Sequence, residues 1–251
     1  MNKLKLAFFS FTEIARGQHR AYNEWHMLDH MPEQFPIPGI AFGQRWVSTP
    51  ACRAARLFED AALAETHYLT CYYMTEPLER TLTDFFDLAD QLRALGRFFA
   101  HRKGLMGGPF LLVKEYVAAR VRISAEALPY RPNRGIAALV LDPVPGADAD
   151  ETGTWLDCAL FPELLRVPGV AGAYSYTARA GGRDSVFASR NPAGRRVAVL
   201  YLDDDPLAVA RALREPIGRG GRLSGELEKR LRPVFAGPFE TITPWKWDWF
   251  E

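Results

Sequence analysis

The chain has 251 residues, 48% of them hydrophobic and 24% charged, and its 31 Lys and Arg nearly balance its 30 Asp and Glu. A net charge of +1 excludes the electrostatics of a nucleic-acid or charged-membrane partner. Three cysteines without CxxC spacing exclude a disulfide scaffold; with an N-terminal apolar run too short for a bilayer and no cleavage site after it, they point to a cytoplasmic protein.

Leu4–Phe11, rich in aromatics, reads as a first strand. A helix follows from about Gln18 to Met31, and Pro32, which lacks an amide hydrogen, is expected to end or kink it. Gly39–Ser48 and Tyr68–Met74 read as strands. Leu78–Leu95 carries Leu82, Phe85, Phe86, Ala89 and Leu92 along one face of an amphipathic helix. Pro109–Val117 is a fourth strand, and Ala118–Arg134, with Pro129 and Pro132, is a linker. Strand Gly135–Asp142, helix Glu151–Leu165, strands Gly169–Thr177 and Arg196–Leu202, a broken helix over Leu207–Arg214 and Leu223–Leu231, and strand Pro238–Thr243 complete the chain. The basic run Arg190–Arg196 reads as a solvated turn. Pro244–Phe250, with Trp245, Trp247 and Trp249 at alternate places, reads as a strand that seals a barrel end or covers a sheet edge.

The order βαββαβ thus occurs twice, and the residues repeat with it. Trp25, Pro32, Glu33, Pro38 and Gly39 recur as Trp155, Pro162, Glu163, Pro168 and Gly169, a constant offset of 130. Pro77, Gly108, Pro109 and Phe110 recur as Pro206, Gly237, Pro238 and Phe239 at an offset of 129. The reading is a duplicated α+β protein: a ferredoxin-like repeat over 1–120, a linker over 121–134 and a second repeat over 135–251. Each repeat leaves one sheet face bare, so the two antiparallel sheets are expected to pack into a pseudo-dimeric α+β barrel. Such a chain is expected to be a monomer or a homodimer.

The copies differ in chemistry. His26, Asp29, His30 and Glu33 share one helical stripe, whereas the second copy carries Leu156, Ala159 and Leu160 at the first three positions. Glu33 and Glu163 recur, which suits a structural duty. An imidazole near an apolar pocket, oriented by Asp29, is a workable general acid/base, so His30, His26 and Asp29 form the catalytic candidates. Tyr22, Trp25, Gln44, Trp46 and Tyr72 are the substrate-binding candidates; by period two, Gln44 and Trp46 share a strand face opposite Arg45. The same stripe offers two His and a carboxylate to zinc or iron, which defines a metal-dependent alternative. The other histidines, His19, His67 and His101, are isolated in sequence, and scattered axial candidates argue against haem. A non-catalytic ligand-binding or structural protein, with the stripe as a solvated helix surface, is the third possibility.

Glu24-Trp25-His26 with His30, Pro32-Glu33, Ile37-Pro38-Gly39-Ile40 and Gln44-Arg45-Trp46 resembles the EthD-like branch of the dimeric α+β barrel superfamily. The resemblance is carried by the first half; the second matches through Trp155, Pro162-Glu163 and Val167-Pro168-Gly169. It implies a pocket between the two helices and the helix-facing side of the sheet, with His30 pointing into it. Relatives in the superfamily are cofactor-free isomerases, lyases and oxygenases acting on small cyclic or aromatic compounds, haem-handling enzymes, and many proteins with no assigned role, so the resemblance implies isomerase, lyase or dehydratase, or oxygenase chemistry on a small hydrophobic, cyclic or aromatic molecule. The reading is an enzyme with no cofactor and no bound metal.

Overall fold

The computed structural model describes residues 3–179, 187 and 191–250. Strand β1 (Leu6–Ile14) leads into a helix built of α1 (His19–Trp25), a π-turn (His26–His30) and α2 (Met31–Gln34). Then come β2 (Ile40–Val47), α3 (Pro50–Ala54), β3 (Phe58–Glu59), β4 (Tyr68–Met74), α4 (Leu78–Ala94) and β5 (Arg102–Val117). The second half holds β6 (Gly135–Pro143), α5 (Ala149–Trp155), a π-turn (Leu156–Leu160), α6 (Phe161–Arg166), β7 (Val170–Thr177), β8 (Arg196–Leu202), α7 (Pro206–Ile217), α8 (Ser224–Arg230) and β9 (Leu231–Thr241).

The strand order is β2-β4-β1-β5-β7-β8-β6-β9-β3, all antiparallel, and an added β2–β9 pairing closes eight strands into a barrel. Within each half the four long strands run in the same order, second-third-first-fourth. Inward faces interdigitate: Phe9, Phe11, Trp46, Cys71 and Tyr73 meet Ile136, Tyr174, Tyr176, Tyr201 and Phe235. Closure removes the sheet edges that an open sheet would expose.

Helices cover the outer faces. Both first helices widen into a π-turn just before a proline, Pro32 or Pro162. Proline cannot donate to the carbonyl four residues back, so a straight α-helix would strand that acceptor; the wider turn carries the chain past it. The turn from each helix into the next strand closes on a glycine in the left-handed region, Gly39 at φ +94° before Ile40 and Gly169 at φ +87° before Val170. At Gly39 a Cβ would lie 2.0 Å from Thr81 Oγ1, so only glycine lets α4 approach.

Several expectations change. The fourth strands are longer than the apolar runs suggested, because cross-strand pairing carries β5 and β9 through polar and glycine-rich stretches. The linker holds a 3₁₀ turn (Ala125–Tyr130) whose Leu128 packs into the barrel. Pro244–Phe250 is not a strand: Trp245 is 73% exposed, Trp247 is buried beside Tyr22 and Tyr68, and Phe250 stacks on His19 at 4.0 Å. No helix among the described residues is long and apolar enough to cross a membrane.

Candidate active site

A cavity of about 460 Å³ lies in the first half, between the π-turn, α4 and the outer face of the sheet. The π-turn contributes His26 and His30, and α2 contributes Gln34. The sheet floor supplies Phe8 and Ser10 from β1, Thr70 and Tyr72 from β4, and Gly104 to Gly107 from β5. Phe85, Phe86, Ala89 and Arg93 come from α4, with Phe98 and Arg102 beyond it. Asn191 and Arg195 reach in from the second half. The wall is therefore phenylalanine-rich on one side and hydrogen-bonding on the other, not the wholly apolar hollow expected.

His26 and His30 are 3% and 9% exposed, their rings 5.3 Å apart. Trp25 stacks behind His30 at 4.5 Å, and its indole N–H donates to the Arg97 carbonyl at 2.8 Å, which locks the stack. The Nδ1 atoms of both histidines are buried with no hydrogen-bond partner among the described residues, as are Gln34 Oε1, Thr70 Oγ1 and Tyr72 Oη. Buried polar atoms are almost always paired, so five orphans in residues that wall one hollow are an unusual concentration of unmet polarity. Burial, reinforced by the guanidiniums of Arg102 and Arg45, lowers the His30 pKa to about 4, the Asp29 charge opposing only in part. Burial, then the charges of Arg45, His30 and Arg102, holds His26 well below the ordinary histidine value. Both imidazoles are neutral at pH 7. In the second half the matching Leu156 and Leu160 are buried in an apolar cluster with Phe161, Leu164, Leu200 and Leu213.

Asp29 does not orient either histidine. It faces away from the cavity and pairs with Arg97, which also holds Glu33 at 2.7 Å. The cause is geometric: the π-turn rotates residues between His26 and His30 outward. Tyr22 is buried behind His26, their rings 5.6 Å apart, and does not line the cavity. Trp25 supports His30 without touching the hollow. Trp46 lies in the barrel core, its indole N–H donating to Asn133 Oδ1 at 3.1 Å, and Gln44 shares that strand parity. Arg45, from the opposite parity, faces the helices instead, over the rings of Tyr22 at 5.0 Å and Tyr68 at 5.5 Å. Of the five binding candidates, only Tyr72 lines the cavity.

Sequence reasoning missed Arg102, Arg93, Phe98 and Arg195. Arg195 belongs to the run read as a solvated turn, yet it is mostly buried and grips Asp142 through two hydrogen bonds of 2.6 and 2.9 Å; Arg190 falls outside the described residues. Long-range contacts of this kind leave no local periodicity to read. His19 and His67, isolated in sequence, pack edge-on at 4.8 Å, with His19 Nδ1 3.1 Å from the Tyr68 hydroxyl. Among the described residues no three His, Cys, Asp or Glu side chains converge on a metal-sized point.

No family profile matches the sequence, and no curated protein does. Solved structures do match over nearly the whole chain. A provisionally assigned chlorite dismutase is 14% identical with a TM-score of 0.55, covering 96% of this chain and 95% of its own. An anthrone oxidase-like protein is 12% identical at 0.54, covering 96% and 92%. A dye-decolorizing peroxidase from Bacteroides thetaiotaomicron is 9% identical at 0.51, covering 97% and 94%. Likeness at such identity defines the fold alone: an antiparallel sheet with helices, an α+β fold shared with these structures.

Proposed function

We propose that the chain is a tandem pair of ferredoxin-like domains of the EthD-like kind in which only the first keeps a working site. It acts there as an enzyme that abstracts a proton beside the carbonyl of a small cyclic or aromatic molecule. The observation that carries this is the histidine pair: two neutral imidazoles lining a cavity that, among the described residues, no carboxylate lines, where the second half has leucines in an apolar cluster. A neutral imidazole accepts a proton; in this step the C–H electron pair becomes a C=C bond, the C=O π pair moves to the oxygen, and an enolate forms against the imidazolium. The guanidiniums of Arg45 and Arg102 favour that negative charge, the kind of preorganised stabilisation that contributes most to such reactions. Return of the proton elsewhere gives an isomerase, loss of a β-substituent a lyase, and attack on dioxygen an oxygenase. That enzymes of oxidative type share the fold supports the class without choosing among these.

His30, which stacks on Trp25 beside Phe98, is the first choice of base, and His26 its assistant. Asp29 is withdrawn from the catalytic set, and with it the carboxylate of a two-His metal site. The test is the exchange of the α-protons of 2-tetralone for deuterium, followed by NMR at pH 7. Wild-type protein is expected to accelerate it, His30→Gln to lower the rate by about 100-fold, and Asp29→Asn to leave it within a factor of two. Equal rates in wild type and His30→Gln defeat the proposal, as does iron or zinc at one per chain whose removal stops exchange.

A further inference from the structure

Of the three guanidiniums that line the cavity, two are already neutralised: Arg93 by Asp90, and Arg195 by Asp142. Arg102 has no carboxylate partner among the described residues; it is held instead over the rings of Phe98 at 5.0 Å and Trp25 at 5.8 Å. A second cation lies behind the floor. Arg45 pairs across the sheet with Thr70, and Thr70 with Ser10, so the three share one row and Arg45 continues it beneath α1. Arg45 is 3% exposed, and none of its Nε, Nη1 and Nη2 atoms has a hydrogen-bond partner among the described residues. Two cations without a carboxylate partner among the described residues thus flank two neutral histidines, and no described residue lining the hollow between them carries a negative charge.

Arg45 is buried without a counter-charge, which is strongly unfavourable and only partly offset by its ring contacts, while Arg102 is half-buried. An enolate formed during turnover is transient and answers one positive charge. The other is present in the resting site and calls for a group that is already ionised when it arrives. Arg45 is sealed from the cavity, whereas Arg102 opens onto it and offers a planar donor fork. We infer that the ligand is an anion, an aromatic or cyclic molecule bearing a carboxylate, and that Arg102 takes the carboxylate while its ring lies along Phe85, Phe86 and Phe98. This deepens the preceding reading by naming the substrate class, and it fails separately, since it concerns binding and not proton transfer.

The test compares 2-naphthoate with its neutral isostere 2-naphthamide by calorimetry at pH 7 and low salt. The carboxylate is expected to bind about 10-fold tighter or more, the margin of a charge-assisted hydrogen bond. That preference is expected to vanish in Arg102→Gln while the amide affinity stays within threefold, and to survive in His30→Gln. Arg102→Lys, which keeps the charge and loses the fork, is expected to retain part of it, and it serves if Arg102→Gln does not fold. Equal affinities in wild type, no saturable binding of the carboxylate, or a preference undiminished in both Arg102 variants overturns the inference. Loss of 2-tetralone exchange in His30→Gln beside unchanged naphthoate preference would uphold both readings; preserved exchange there would sink only the first.

Discussion

His26 and His30 occupy buried positions whose counterparts in the second half are Leu156 and Leu160. In the unfolded chain both titrate near 6.5; in the fold His30 titrates at about 4 and His26 well below its ordinary value. The folded state therefore binds fewer protons between those limits, and stability is full above about pH 6.5 and falls as the pH drops towards 4. His19 and His67, both lowered to about 4 chiefly by burial, add to the same slope. Melting temperatures of the His26→Leu/His30→Leu variant are expected to decline less than wild type between pH 6.5 and 4.5. Identical declines would mean that the two imidazoles are solvated. Because the base is neutral throughout, the 2-tetralone exchange rate is expected to stay flat from pH 5 to 8, without a step near 6.5. The stripe itself was legible from the sequence, since leucines at the sister positions revealed its burial. The role of Asp29 was not, because a straight helix keeps i+3 on the face of i and the π-turn does not.

At the level of elements, the π-turn before Pro32 and its twin before Pro162 show that the widened helix belongs to the fold rather than to the chemistry. What differs is the filling beneath. Leu160→Ala opens a hole in a closed cluster and is expected to cost about 2–5 kcal/mol in urea unfolding, whereas His30→Ala enlarges an existing cavity and is expected to cost about 1 kcal/mol. Gly39→Ala meets both a positive φ and Thr81, so it is expected to destabilise more than Gly17→Ala, which has φ +77° and nothing within 4 Å. Strand period two separated Gln44 and Trp46 from Arg45 correctly but gave no means to choose the cavity face. Trp46 decides it by filling the barrel core, and Arg45 goes to the helices as a consequence.

For the whole molecule, the two halves share one inner core and close on each other through Trp46 with Thr241 and Val47 with Glu240. Asn191 and Arg195 of the second half also wall the cavity of the first. Residues 1–120 alone would bare Phe9, Phe11, Trp46 and Tyr73. That fragment is expected to self-associate on gel filtration, while the full chain unfolds in one transition; a stable monomeric fragment would contradict the shared core. The repeated order of elements was readable because glycine, proline and tryptophan anchors hold their register. The wall built by Arg102 and Arg195 was not, since it depends on how one half lies against the other.

Nitrogen-15 NMR of the five histidine side chains, titrated with acid and with 2-naphthoate, addresses the central claim directly. His26 and His30 are expected to remain neutral down to pH 5 and to shift on adding the ligand, with His19, His67 and His101 unmoved by it. An imidazole at position 30 that titrates near 6.5, or two signals from positions 26 and 30 indifferent to saturating ligand, would contradict it.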